Sequence, residues 1–587
     1  MRRLVATAFV SVVATALLVP AGYAAPRELW PGVTYEADVQ FTPHGPVAIN
    51  VLRGPRPGGL TTLEPVVSND TIVGRETLTS MQRRLASTAA TAGINGDFFA
   101  LATGRPSGMV MREGQLLAPP NASRASAGVL TDGTLDVRRV GFSGSWDAGA
   151  GPHVLSLLNA APKVGRVALF TAAYGASTPP IAGSAAAILF PFPDAIPSIG
   201  LSAPVVELRS GSSPVAIPSG GAVLLARGAA ATILRQEASV GSPITIGLSF
   251  KPDWPGIVAA VGGGPQIVRE GAPVFRAGEA FTTNQLGQRA PRSAVGQLGD
   301  GRIVLVAVDG RQPGYSVGLT NFELAQALVR LGAVTGMALD SGGSTTMAFD
   351  GTLLNRPSDG RERRISTALM LEYQGVFASE PPPLVSPNGD GVDDVPVLRY
   401  RVYRPSTVTA TLRGPGGATT TFPPAERQPG SYPVPFPGVG TESTAATGAP
   451  VGQWSLDLSA TDDLGRQSTI TRTFVVDDTL GFLRAPKRWA VPPGGRPMAI
   501  SWKLARPARV GVAILDETGR LVRGGLAPSG TLAEGDHEVE WSGLAKNGKR
   551  VSGVLTVRVV AIGDVGRSEL RTTVSVTKAA GPGGGDG

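Results

Sequence analysis

Residues 303–340 read IVLVAVDGRQPGYSVGLTNFELAQALVRLGAVTGMALD. Two apolar runs, 303–308 "IVLVAV" and 335–339 "TGMAL", each stop on a carboxylate, Asp309 and Asp340. Between them, 320–332 has helical spacing, with Leu324, Ala327, Leu328 and Leu331 on one face. Thr320 and Glu323 have the spacing of a capping box. The order is strand, helix, strand, which predicts two parallel strands. Parallel strands end on one edge of a sheet, so Asp309 and Asp340 are expected at the same rim, where α/β sites usually lie.

The flanking segments read as hairpins. Asp350-Gly351 suits a two-residue turn. Counting outward pairs Phe349 with Thr352 and brings Asn355 and Arg356 back beside 342–345. Counting outward from Asp300-Gly301 pairs Gly299 with Arg302 and Arg292 with Asp309, unless a bulge shifts the register by one. After Asp340 comes the loop Ser341, Gly342, Gly343, Ser344 and Thr345, whose N–H and hydroxyl groups suit an anion. Paired carboxylates are the usual equipment of glycoside cleavage. Two carboxylates, an arginine and an anion nest together suit a ligand with a scissile bond and a phosphate.

Composition bounds the rest. The 587 residues are too many for one core, and 78 glycines with 50 prolines favour short strands and turns over long helices. Residues 1–24 read as a signal peptide: Arg2 and Arg3, a 16-residue apolar core, then small residues before Ala25. That core is short of the roughly 20 residues a membrane span needs, and no later segment is long and apolar enough to cross. Export with cleavage places the protein outside the cell or at its envelope. The chain has no cysteine, which excludes thiol catalysis, Cys-ligated zinc and Fe–S centres. Its three histidines are scattered, with no HExxH, and no GxSxG elbow is present. The net charge of +8 is spread thinly and fits anionic glycans or an envelope. No basic run interleaved with aromatics points to nucleic acid.

"ASEPPPLVSP" (378–387) reads as a stiff linker. The expected organisation is an α+β domain at 25–377, with a mixed sheet and few helices. Two all-β Ig-like sandwiches follow at 378–478 and 479–577, then a disordered tail at 578–587. Alternating runs such as "WSLDLSATD" and "VLTVRVVAI" carry the sandwich reading. Their similar endings turn about Gly465 and Gly566. "SPNGDGVDD" (386–394) has the acid and glycine density of a calcium loop but not the EF-hand spacing, so Asn388–Asp394 reads as a surface turn, with Ca2+ binding as the alternative. No other cofactor is expected.

The ordered motifs "NGDFF" (95–99), "GGGPQIV" (262–268), "PRSAVG" (291–296), "VDGRQPGYSVGLT" (308–320), "ALDSGGSTTM" (338–347), "NRPSD" (355–359) and "RRISTALML" (363–371) resemble the phosphodiester glycosidase family. "LNAAPKVGRVALFTAAYG" (158–175) adds Asn159, Thr171 and Gly175. Position 97 is acidic where that family more usually has a small residue. The resemblance implies hydrolysis of a sugar-1-phosphate diester, on an N-acetylhexosamine, leaving a phosphomonoester. Asp309, Asp340, Arg292, Arg311, Gly342, Gly343, Ser344, Thr345 and Asn355 fall on its matching positions. Asp309, Asp340 and Glu323 are the candidate acid/base groups, although Glu323 also fits its cap. Asn95, Arg292, Arg311, Gly342, Gly343, Ser344, Thr345 and Asn355 are candidate substrate contacts. "GGGPQI" lacks a following helix and reads as a place of close backbone approach. The C-terminal module resembles the Ig-like domain of flagellar hook-capping proteins and could hold the protein to a wall polymer or glycan. The rival readings are a non-catalytic envelope protein that binds anionic glycans, and a metal-dependent phosphodiesterase cutting on the phosphorus side.

Overall fold

A computed structural model describes residues 26–198, 200–275, 278–436, 449–491 and 496–578. The signal-peptide reading and nearly all of the predicted tail lie outside these residues. The chain divides into two units: Met1–Ala86 with Ala90–Glu372, and Ser87–Ala89 with Tyr373–Gly587.

The first unit is built on an eight-stranded sheet. Its order is Arg27–Trp30, Val33–Thr42, Gly45–Gly54, Ile303–Val308, Arg292–Leu298, Ala333–Ala338, Gln266–Arg269 and Ala272–Pro273. Every neighbouring pair in it is antiparallel. The two strands expected to pair in parallel do run the same way, but Arg292–Leu298 lies between them and is antiparallel to both. The Asn321–Arg330 helix makes the crossover. Thr320 accepts from the Glu323 N–H and Glu323 from the Thr320 N–H, closing the predicted capping box. Leu324, Ala327 and Leu328 pack on Val304, Val306, Val308, Ala294 and Ala338. Ile303–Val308 is buried at every position, which is why that run is apolar on both faces.

The two hairpins turned out differently. Phe349 pairs with Thr352 as expected, and Asp350 (φ 44°) and Gly351 (φ 81°) both sit left-handed, as a two-residue hairpin turn requires. In the other hairpin the Leu298 N–H donates to Arg302 O, so the loop has three residues and ends on Gly301 at φ 89°. That moves the register by one and pairs Arg292 with Val308 rather than with Asp309.

A five-stranded sheet brings Met347–Phe349, Ala90–Asn95, Thr367–Tyr373 and Thr61–Val67 side by side, with Thr352–Leu353 at its edge. Its Ala90–Asn95 strand leads directly into "NGDFF". Two further sheets, of eight and five strands, complete the unit. In the second of the two units, a three-stranded sheet accompanies a five-stranded one, and another three-stranded sheet a six-stranded one. Each larger sheet contains the expected terminal hairpin, Gly452–Asp462 with Gln467–Val476 and Gly553–Ile562 with Arg567–Lys578. Each also takes up a short parallel strand, Leu384–Val385 or Arg488–Val491. The protein is therefore β-rich with few helices, ending in sandwich architecture.

Within 386–394, the Asp394 carboxylate accepts the Gly389 and Gly391 N–H groups, and Asp390 accepts those of Val392 and Phe482. These carboxylates hold main chain. Among the described residues no three His, Asp or Glu side chains gather as metal ligands.

Candidate active site

Asp340 follows the Ala333–Ala338 strand and sits where that eight-stranded sheet meets the five-stranded sheet containing Ala90–Asn95. Its N–H donates to Gly96 O (3.0 Å), and its carbonyl accepts from Asn95 Nδ2 (2.8 Å). The carboxylate accepts from the Ser341 N–H (2.8 Å) and from the Ser344 hydroxyl. It keeps a partly open surface. Burial pushes its pKa up to about 6, against the lowering effects of Ser344, the Ser341 N–H and the charges of Arg363 and Arg124. A carboxyl titrating there can take or give a proton near neutral pH.

Asp309 reaches the same rim, but its oxygens are occupied. Oδ1 accepts from Asn355 Nδ2 (2.8 Å) and Oδ2 from the Tyr315 hydroxyl (3.0 Å), and both accept from the Arg356 N–H. The side chain is 1% exposed. Burial raises its pKa, and the donors from Asn355, Arg356 and Tyr315 oppose that. Such a carboxylate joins the 309–316 loop to 355–356 and has little capacity left for a ligand. Asn355, expected to touch substrate, spends its side chain on Asp309 and on the Met347 N–H.

Glu323 stays with the helix. One oxygen caps Thr320 and the other meets Arg289. Burial opposes its ionisation, but the Thr320 N–H and Arg289 outweigh burial and hold its pKa below the usual range. It is an ionised cap, unsuited to proton transfer near neutrality.

Arg292 does not reach Asp309. Its Nε donates to Leu319 O and its Nη2 to Gln285 O and Gln288 O. Burial, with the nearby Arg311 charge, depresses its pKa to about 10. Its fork therefore ties three main-chain segments together. Arg311 is the more open cation. It is exposed, sits at φ 58°, and lies against Gly342, where a Cβ would come within 3.1 Å of its guanidinium. Arg363 lies over Gly343, paired with Asp359 (2.7 Å).

The 342–345 loop is a tight turn whose first and last N–H groups are engaged. The Gly342 N–H donates to Pro291 O, that of Thr345 to Gly342 O and that of Thr346 to Asn95 Oδ1. Ser344 faces Asp340, and the Thr345 hydroxyl bonds Ser293. The loop orients Asp340 through the Ser344 hydroxyl. Asn95 is equally committed: its Oδ1 accepts from Ser293 and the Thr346 N–H. It sets the position of Asp340 instead of facing a ligand.

Sequence reasoning missed two groups here. Asp97 is 2% exposed beside Asp340, and the Arg124 guanidinium lies 5.0 Å from the Phe98 ring centroid and 4.9 Å from that of Phe281. The acidic residue in "NGDFF" was the available signal for the first. Nothing in the local pattern marks Arg124.

Residues 203–372 match the phosphodiester glycosidase family. The match contains Arg292, Asp309, Arg311 and Asp340 and begins after Asp97 and Arg124. Among curated proteins, the chain is 34% identical over 107 residues to the SPbeta prophage-derived uncharacterized protein YomE of Bacillus subtilis (strain 168), covering 18% of this chain. It is 36% identical over 87 residues, 14% of this chain, to the N-acetylglucosamine-1-phosphodiester alpha-N-acetylglucosaminidase of Bos taurus. In each case the match spans 16% of the relative's length. A solved structure of a hypothetical protein from Synechocystis is similar at 26% identity and a TM-score of 0.49, over 58% of this chain and 62% of that one. The phosphodiester glycosidase match supports hydrolase chemistry on a phosphodiester glycosidic bond in general.

Proposed function

We propose that the first unit hydrolyses the glycosidic bond of a sugar-1-phosphate diester, with an N-acetylhexosamine as the sugar. The observation that carries this reading is Asp340. It is a carboxyl with a pKa near 6 that keeps an open surface, held by two sheets; the exposed Arg311, with no carboxylate partner among the described residues, lies against Gly342 two residues on. The leaving group would be a phosphomonoester, whose second pKa is about 6. It leaves as a stable anion and needs positive charge more than a strong acid. Arg311, with the 342–345 turn beside it, supplies that charge. Asp340 acts on the sugar side, as base toward water or as nucleophile.

In this reading Asp309, Asn355, Arg292, Asn95, Thr345 and Glu323 build the site and do not touch the reacting atoms. Ser344 steadies the Asp340 carboxylate. The protein acts outside the cell or at its envelope, and the two sandwiches hold it to a wall polymer or glycan.

The test is incubation with a UDP-sugar and with a nitrophenyl sugar, following free sugar. Release from the UDP-sugar that disappears in Asp340→Asn supports the proposal. Retention on wall polymer without turnover of either substrate would favour a binding protein.

A further inference from the structure

We propose that Asp97 is a positioning acid for Asp340: it works in its protonated form, leaving Asp340 as the one charged carboxylate of the pair, and losing that proton disables the site. This deepens the proposed function and rests on Asp340 being the reacting group.

The geometry starts with Gly96. Its carbonyl accepts the Asp340 N–H (3.0 Å), so the residue preceding Asp97 is bonded to the main chain of Asp340. Asn95 ties the same point from its side chain. Asp97 is thereby fixed beside Asp340 at the junction of two sheets. Its own N–H donates to Thr367 Oγ1 (3.0 Å). Its Oδ2 accepts the Gly108 N–H (2.6 Å) and is pressed by Gly262, where a Cβ would approach it to 2.7 Å. A side chain at Gly263 would likewise come to 2.8 Å from Ala338 O. This is the close backbone approach read into "GGGPQIV", and it closes water out from that side of Asp97.

The other oxygen, Oδ1, is buried and meets no well-aligned donor among the described residues; the neighbouring Phe98 N–H favours the charged form but does not offset burial. A buried carboxylate with one orphaned oxygen is costly when ionised and much less so when it carries a proton. The charged groups acting on Asp97 are Asp340, which disfavours its ionisation, and Arg124, which favours it. Among the described residues Arg124 forms no ion pair to compensate: its Nε and Nη1 are themselves buried without hydrogen-bond partners, and its guanidinium lies on the Phe98 and Phe281 rings. Asp340 has more help, from the Ser341 N–H, Ser344, Arg363 and Arg124. Burial raises both carboxyls, Asp97 to about 7 and Asp340 to about 6. The enclosed Asp97 with its unpaired Oδ1, beside the more open and better hydrogen-bonded Asp340, is the one suited to keep the proton. With 2% exposure, Asp97 reaches substrate only through Asp340.

Two measurements test the proposal. The first is melting temperature against pH for wild type and Asp97→Asn, which needs no turnover. A carboxyl raised in the folded state stabilises fully below its unfolded value of about 3.9 and loses that contribution as pH rises through about 7. Wild type should therefore fall relative to Asp97→Asn between these limits, and the asparagine variant should be the more stable above pH 7. Parallel curves overturn the proposal. The second is the pH profile of kcat/KM on a UDP-sugar. Asp97→Asn mimics the protonated acid and should keep the rate near pH 6 within about tenfold while losing the alkaline decline. If the folded variant is inactive at every pH, Asp97 itself delivers a proton and the positioning role is wrong. If Asp97→Asn fails to fold, Arg124→Gln replaces it in both measurements. Removing that cation should move the alkaline limb upward by about one unit, and an unmoved limb overturns the proposal. Absence of turnover in wild type would count against the hydrolase reading, and the melting curves would still decide the state of Asp97.

Discussion

Replacing Asp309 by alanine separates a structural carboxylate from a reacting one. The change orphans three donors: Asn355 Nδ2, the Arg356 N–H and the Tyr315 hydroxyl. Asn355 is buried, and losing its acceptor costs about 1–3 kcal/mol. Arg356 is exposed and Tyr315 half-exposed, so water can partly replace their bonds at about 0.5–1.5 kcal/mol each. Against this, the variant no longer buries a carboxylate whose ionisation burial already disfavours. The expected net loss is about 2–4 kcal/mol. In a domain this large, roughly 2 °C of melting temperature accompanies each kcal/mol, so calorimetry should show a fall of about 4–8 °C. Asp309→Asn keeps one acceptor and should lose about half as much. Turnover by folded Asp309→Asn should stay within about tenfold of wild type. If that variant melts like wild type while turnover drops a hundredfold, Asp309 takes part in the chemistry and its four hydrogen bonds have been misread.

Asp340→Asn should fold normally and lose at least 10²-fold in turnover; a folded variant with near-normal rate removes Asp340 from the mechanism. In wild type, kcat/KM should decline as pH falls through about 6, where Asp340 takes up a proton. A rate that is flat from pH 7 to pH 5 contradicts this. Arg311→Gln should lower kcat/KM about 10- to 150-fold on the phosphodiester, the cost of a charge-assisted hydrogen bond, and leave a neutral aryl glycoside almost unaffected. Arg292→Lys should instead lower stability and affect both substrates alike, because it loosens Leu319, Gln285 and Gln288. A chain ending at Glu372 should melt cooperatively and retain its rate on a small soluble substrate, while losing retention on wall material. An inactive, insoluble truncation would refute that independence.

Local signals in the sequence were informative where local chemistry decides the structure. The capping box at Thr320 and Glu323, the left-handed turn at Asp350-Gly351 and the carboxylate after each buried strand all follow from near neighbours. Strand order does not. Nothing in Arg292–Leu298 announces that it runs between Ile303–Val308 and Ala333–Ala338, because a buried central strand reads the same beside either neighbour. By ordinary strand spacing, that insertion separates the ends bearing Asp309 and Asp340 by roughly 9–10 Å, and leaves each to its own partners. The one-residue slip at Arg292 has a similar origin. Asp300-Gly301 resembles a two-residue turn, but a three-residue loop ending on left-handed Gly301 is also open to it. Residue type showed which groups could be catalytic, whereas hydrogen-bond saturation showed which were spent. Asp309, Asn95 and Asn355 carry the right chemistry for a site and use it to hold the fold. Asp97 stands out in the sequence only as an acidic residue in "NGDFF"; its place beside Asp340 shows once Gly96 is seen bonded to Asp340.

The bond that breaks tests the central claim most directly. Wild-type protein should be incubated with a UDP-sugar in ¹⁸O-labelled water, and the products examined by mass spectrometry. Attack at the sugar carbon, directed by Asp340, puts the label in the sugar and leaves the phosphomonoester unlabelled, and Asp340→Asn forms neither product. Label in the phosphate instead would mean cleavage on the phosphorus side, and the assignment of a glycosidase centred on Asp340 would be wrong.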